Sequence, residues 1–400
     1  MLFSFIRPEA EAFARAGIAA LIYDKRTVGY SKVHRDYGLL ADDAAAGVAA
    51  LRAVPGIDPA RVGLWGFSEG GWVAPLAAVR SGHVAFLVTL GASGLTPLRT
   101  QTWYLANMAR HNGVTGSLDG AVTGPAARLV AGAGLFPEAS YDPLPVLARL
   151  RMPVLALWGE HDIEVPPAES AGILRRALAA DRSVTIGFLA GAAHDGRQTG
   201  DGFDRIGGPS IQGHRLGALA PGYTATMATW VRQVAAGHPP ASSAQRPPVQ
   251  AASSRAAGGH WDDNALVQAI VLAAITLTFL GCLIAGLALR RRALPRTVRR
   301  LSRWLAACGL LTVLGTVLFV LSVYLTSAQT AAPAALGRAV PWLVLQVLAL
   351  ATAVLTVATG TAVARGRDAI LGAHRIRLII LMAAGILCVA WSARWGLLTP

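Results

Sequence analysis

Cysteine is scarce and poorly placed for chemistry. The chain has three, Cys282, Cys308 and Cys388, and none in residues 1–262. That excludes a disulfide framework and a thiol nucleophile from the first two thirds. Acid is nearly missing from the remainder. Of 22 Asp and Glu, only Asp263 and Asp368 lie beyond residue 262, against 13 of the 36 Lys and Arg. Most of the net charge of +14 is thus gathered among apolar runs, which is not the basic face with polar or aromatic neighbours that a nucleic acid needs. It reads instead as arginine flanking a membrane. No CxxC or HExxH spacing occurs, so no metal site is expected, and nothing calls for a cofactor. No internal repeat is visible.

What the C-terminal third has in abundance is apolar length. Residues 266–289, 304–325 and 340–364 are uncharged runs of 24, 22 and 25 residues, and 378–393 adds a fourth of 16. About 20 residues of helix cross a hydrocarbon core. The first three suffice, and the fourth spans if Arg377 and Arg394 reach back to the headgroups. The loop RRRALPRTVRRLSR carries seven arginines, TSAQTAAPAALGRA one, and RGRDAILGAHRIR four. Basic loops stay inside, so loops one and three are expected in the cytoplasm. Everything before Leu266 is then expected on the extracytoplasmic face. Gly281 and Gly286 are candidates for close helix association. The runs contain no Asp, Glu, Lys, Arg or His, so no ion or proton relay is visible and transport is disfavoured.

Residues 1–234 read as one α/β domain. Apolar runs at Ile18–Tyr23, Val62–Trp65, Val84–Leu90, Pro153–Trp158 and Val184–Leu189 predict strands. Helical patterns fall at Asp42–Val54, Glu69–Arg80, Pro167–Ala180 and Gly222–Val234, with an irregular helical stretch over Gln101–Val130. Alternating strand and helix predict a parallel sheet covered on both faces. Residues 91–150 are expected to form a short cap, with Trp103, Tyr104, Leu105 and Met108 as apolar lining or as helix packing. Residues 235–262, rich in Pro, Ala and Ser and without hydrophobic period, read as a flexible linker to the membrane region at 263–400.

In parallel sheets the chemistry gathers beyond the C-terminal strand ends. Three of those loops carry suitable residues. GFSEG after Trp65 places Ser68 between small residues on a strand-to-helix turn, with a helix N-terminus aimed at developing negative charge. GEHD after Trp158 offers Asp162, with Glu164 as a rival acid. AGAAH after Leu189 offers His194, with His214 as a rival that follows no strand. Asp162 would orient His194, which would take the Ser68 proton and later protonate the leaving group. His161 is expected to face solvent, and Glu69 to contribute its backbone N–H rather than its carboxylate.

These residues, in YDKRTVGYS, GFSEGGW, PVLALWGEHDIEVPP and GAAHDG, resemble the α/β-hydrolases, in particular the esterase and acyl-peptidase-like branch related to dienelactone hydrolases. The likeness runs over residues 5–235, with PGYTATMATWV fitting the last helix. It implies Ser68 as nucleophile, Asp162 as acid, His194 as base and the Glu69 N–H as an oxyanion donor. The chain departs from the pattern twice. Arg26-Thr27-Val28-Gly29 stands where the family has Arg-Gly-x-Gly. The family's strand and HG- or GSG-type loop ahead of RPEAEAFARAG, which supply a central strand and a second oxyanion donor, have no counterpart. A missing donor of that kind costs on the order of 10²–10³ in rate. No signal peptide precedes a domain expected outside. Both gaps fit one expectation, that the sequence is N-terminally incomplete.

Two functions follow as expectations. One is a membrane-anchored serine hydrolase that cleaves carboxylic esters, with amides as a second class, through an acyl-enzyme on Ser68. Its partners would be a small-molecule substrate and the lipid bilayer, with no nucleic acid. The other is a membrane sensor or scaffold that keeps the fold without turnover.

Overall fold

The computed structural model describes residues 3–31, 33–181, 183–211, 213–250, 254, 261, 264–288, 294–328, 333–366, 370 and 372–399. In chain order the elements begin with α1 (Phe3–Arg15), α2 (Tyr37–Arg52), β1 (Leu64–Phe67), α3 (Gly70–Ser81) and β2 (Leu87–Leu90). Then come α4 (Pro97–His111), α5 (Ser117–Ala121), α6 (Ala127–Gly132) and α7 (Leu144–Leu147). They continue with β3 (Val154–Gly159), α8 (Pro167–Ala177), β4 (Val184–Leu189), α9 (Tyr223–Ala235) and a short strand β5 (Ser243–Ala244). Four long helices close the chain: α10 (Ala265–Ala288), α11 (Arg296–Leu325), α12 (Val340–Arg365) and α13 (Ala373–Arg394). The chain divides into two compact units, residues 1–104 with 136–256, and residues 105–135 with 257–400.

The first unit is built on a five-stranded sheet in the order β1-β2-β3-β4-β5, with every pair parallel. Alternation along the strands sorts its side chains onto two faces. Leu87, Val154, Ala156 and Trp158 pack with Ala74 and Ala78 of α3 and Leu174 of α8. Val88, Leu90, Leu155 and Leu157 pack with Tyr223, Met227 and Trp230 of α9. A sheet covered on both sides needs near-continuous apolar strands, and β2 and β3 are buried along their whole length. Asp36 caps α2, accepting from Leu39 N–H at 2.9 Å, so this helix starts five residues before the apolar period alone predicts.

Two expectations are corrected here. Ile18–Tyr23 forms no strand: β1 is an edge strand, with β2 as its partner among the described residues, and Leu21 and Tyr23 are 47% and 48% exposed. An apolar run becomes a strand only where a neighbour accepts its ladder bonds. The Pro/Ala/Ser-rich segment is not loose throughout. Ser243 and Ala244 extend the sheet beside β4, Ser183 Oγ donates to Pro240 O at 2.8 Å, and Phe188 N–H donates to Gln245 Oε1 at 2.7 Å. Residues 251–253, 255–260, 262 and 263 of that segment lie outside the described residues, as do Arg290–Arg292 of the first basic loop and residue 289 of the first run.

In the second unit, α10 to α13 are four helices long and apolar enough to cross a membrane. The fourth is a full 22 residues, because the helix extends back through Arg375 and Arg377. Their packed side includes Phe279, Leu305, Val313, Trp342, Leu381 and Cys388. Several polar side chains inside it find partners within the helices, although the buried Thr359 and Ser392 hydroxyls have none among the described residues. Thr312, Thr316, Thr352 and Thr356 each donate to the carbonyl four residues back at 2.7–2.8 Å, and Gln268 Oε1 accepts from Trp391 and Trp395 at 3.1 and 3.2 Å. An unsatisfied polar group in hydrocarbon is costly, so such pairing is what a spanning helix requires.

Residues 105–135 belong to this second unit. Helices α5 and α6 are bridged by a π-helical turn over Val122–Ala126, where Pro125 removes a backbone donor. Leu105 lies in the unit's core, so its role is helix packing. The segment seats on one end of the helices: Thr115 N–H donates to Gly337 O at 2.8 Å, Trp342 Nε1 to Ser117 Oγ at 3.1 Å, and Tyr324 OH to Val122 O at 2.6 Å. At the other end Arg303 Nη2 donates to Gly286 O at 2.9 Å, and Arg377 Nη2 donates to Cys282 O.

Candidate active site

Ser68 sits in the turn between β1 and α3 with φ of 52°, a left-handed backbone that is rare for a side-chain-bearing residue. Its N–H donates to Leu90 O at 2.9 Å, and its carbonyl accepts from Gly71 N–H at 2.8 Å. Strain of this kind persists only when the surroundings over-determine it. The glycines show how. A Cβ at Gly66 would strike the Gly70 carbonyl, and one at Gly71 would lie 2.6 Å from Ala92 Cα. Gly70, one of the two glycines that define the motif, has open space around it. The close approaches are made at Gly66 and Gly71.

Asp162 lies in the loop after β3 and is 5% exposed. Its Oδ1 accepts from Glu164 N–H at 2.9 Å and Val165 N–H at 2.8 Å. That leaves Oδ2 to pair with His194 Nδ1 at 2.8 Å. Asp162, rather than Glu164, therefore holds Nδ1. His194 comes from the loop after β4 and is 2% exposed. Its ring packs against Phe67 with centroids 5.0 Å apart. Below it is Gly91, φ 62°, where a Cβ would stand 2.6 Å from His194 Cε1. Since Ser68 N–H is bonded to Leu90 O, the serine and the histidine flank the same end of β2.

The His194 loop is fixed from several sides. His161 N–H donates to Ala192 O at 2.9 Å, Gly191 N–H to Glu160 Oε2 at 3.0 Å, and Ala193 N–H to Arg197 O at 2.8 Å. A side chain at Gly159 would run into the carbonyls of Ala192 and Ala193, so β3 approaches this loop through a glycine. His194 Nε2 makes no hydrogen bond, to Ser68 or to any other described residue. The nearest charge to it is Glu164 Oε2 at 3.9 Å. Burial disfavours the charged imidazole, but Asp162, Glu164 and Asp195 outweigh it and hold His194 up at about 9.

Glu69 is the first-turn neighbour of Ser68, and its carboxylate is engaged elsewhere. Lys25 donates to it and to Tyr30 OH, Tyr30 OH lies 3.3 Å from Oε1, and Arg35 Nε is 3.7 Å away. Lys25 and Tyr30 stand inside YDKRTVGYS, where nothing in the sequence marks them for this contact. Gly91, Phe67 and Gly159 were missed as well, and no local pattern marks them. Of the rivals, Glu164 faces Nε2 as described and the side chain of His214 lies outside the described residues; His161, expected to face solvent, is half-buried.

No family model matches the sequence. Over 83 residues the chain is 32% identical to a protein named polyketide transferase claH from Penicillium crustosum, and over 85 residues 35% identical to one named thiohydrolase aneE from Aspergillus aculeatus. Each stretch is 20% of this chain, and the chain spans 27% of the length of these curated relatives. Among solved structures it is similar to a puromycin-hydrolyzing peptidase of Mycobacterium tuberculosis, at 23% identity and TM-score 0.28, over 40% of this chain and 22% of that one. It is also similar to DcsB in complex with its substrate analogue, at 22% identity and TM-score 0.33, over 47% and 77%.

Proposed function

We propose that the chain is a membrane-anchored serine hydrolase of the α/β-hydrolase fold, acting on carboxylic esters and, as a second class, amides. Ser68 is the nucleophile, His194 the general base and then acid, and Asp162 the group that sets its tautomer. The Glu69 N–H at the start of α3 is an oxyanion donor. The observation that carries this reading is the 2.8 Å Asp162–His194 pair at the same strand ends as a serine in a left-handed turn. The name thiohydrolase, borne by one short-range relative, adds thioesters to the substrates worth testing. Four apolar helices supply the anchor. The arginine bias of their loops supports a hydrolase domain on the extracytoplasmic face.

A fluorophosphonate probe applied to membranes holding the full chain tests the chemistry. Covalent labelling of the wild type that disappears in Ser68→Ala is expected; equal labelling of both would overturn it. One observation favours a second reading, a sensor or scaffold without turnover: His194 Nε2 has no hydrogen bond to Ser68. A panel of short-chain aryl esters and thioesters separates the two, since the scaffold reading expects no hydrolysis above the Ser68→Ala background.

A further inference from the structure

The second unit contains a cavity of ≈330 Å³ at the end of α11 where residues 105–135 are seated. Its apolar wall comes from Val114, Leu118 and Val122 on one side and Phe319 and Val323 on the other. Pockets of a few hundred Å³ with an apolar wall and a few placed polar groups are the usual form of small-ligand sites. Asp119 is the one charged side chain among the described lining residues, and its Oδ1 is buried with no hydrogen-bond partner among the described residues.

The other polar groups of the wall do not meet that need. Asn112 Nδ2 donates to Ala328 O at 3.2 Å, Ser322 Oγ to Phe319 O at 2.6 Å, and Thr326 Oγ1 to Ser322 O at 2.8 Å. Each has committed a donor to backbone. A buried carboxylate oxygen without a donor is costly, so the missing donor is one that an occupant brings. The cavity also lies against the C-terminal turn of α11, whose partial negative charge favours a cation. Headgroups whose only charge is an anionic carboxylate or phosphate are disfavoured by both features. Ammonium, with three donors and a positive charge, suits both.

We infer that this cavity binds an amine-bearing amphiphile, its ammonium on Asp119 and its hydrocarbon chain along Phe319 and Val323. The shared chemistry is an ammonium joined to an apolar chain, whether a free long-chain amine or the headgroup of an aminophospholipid.

The experiment measures binding of radiolabelled dodecylamine to the full chain in phosphatidylcholine nanodiscs, with lauric acid and butylamine as comparisons. Saturable binding of one dodecylamine per chain is expected, at least tenfold tighter than either comparison. Asp119→Asn, nearly isosteric, is expected to weaken it at least tenfold, and Val323→Trp to abolish it by filling the cavity. If Val323→Trp fails to fold, Asp119→Asn decides alone. Competition by phosphatidylethanolamine would identify a lipid headgroup as the source, and its failure a free amine; both support the site. Uptake that does not saturate, lauric acid binding as tightly as dodecylamine, or unchanged affinity in Asp119→Asn would overturn it.

Discussion

Glu164 and Asp162 face opposite nitrogens of the same imidazole, at 3.9 and 2.8 Å. A general base must be neutral to accept a proton. With His194 held up at about 9, the proposed base is mostly protonated at neutral pH. Activity of the wild type is therefore expected to rise with pH, with a midpoint near 9. Glu164→Gln removes one of the charges that raise His194. Its rate profile is expected to shift to lower pH, with higher activity at pH 7. An unchanged profile would show that this carboxylate does not govern the base. The same shift carries a stability signature. Because the folded value lies above the unfolded 6.5, the stabilisation is complete below 6.5 and lost as pH rises through about 9. Thermal melts between those values should fall in the wild type and fall less in Glu164→Gln.

Gly91 makes a second residue-scale test, because it needs both its φ of 62° and the space under His194. Gly91→Ala would meet the imidazole at 2.6 Å and is expected to lower kcat at least tenfold while leaving far-UV circular dichroism unchanged.

At the level of elements, glycine spacing in an apolar helix proved a weak guide to packing. Gly281 faces open space, and Gly286 lies beside the Arg377 and Arg303 side chains rather than a helix backbone. The close contact between α10 and α11 is made at Gly309, where a Cβ would enter the Phe279 ring. Gly309→Ala is expected to destabilise the helix block by about 1–3 kcal/mol through overpacking, and Gly281→Ala to be neutral. Equal melting temperatures for the two variants in detergent would contradict this.

The same elements show what a sequence carries and what it does not. Val184–Leu189 was legible to the residue, because a buried parallel strand is a compact apolar run with polar stops. Ile18–Tyr23 has the same appearance but pairs with no strand among the described residues, and pairing is not a local property. Ser243–Ala244 joins the sheet from a segment whose composition says linker, because an edge strand of two residues needs only backbone. In the candidate site, Ser68, Asp162 and His194 were legible because each follows a strand and stands in a recognisable motif. Gly91, Phe67 and the approach of Glu164 to Nε2 were not. They are set by how β1, β2 and the loops after β3 and β4 converge, which no spacing along the chain encodes.

For the whole molecule, the deciding question is which side of the bilayer each end of the helices meets. Within the second unit, the turn between α11 and α12 and the end of α13 lie with residues 105–135. Gly337 accepts from Thr115, and Gln346 reaches both Ser117 Oγ at 3.3 Å and Thr399 O at 2.8 Å. The basic loops begin at the opposite ends of the same helices, where Arg303 and Arg377 bind carbonyls of α10. Positive charge is retained in the cytoplasm, so the end that carries residues 105–135 should face out. The three native cysteines are buried or half-buried within the helices and should react slowly. On intact cells, a membrane-impermeant maleimide is expected to label Ala335→Cys, in the sparsely charged turn, and to label Arg296→Cys only after lysis. The reverse pattern would place the end that carries residues 105–135 in the cytoplasm and leave the arginine distribution without its usual meaning. Labelling of both on intact cells would mean that these helices do not span at all.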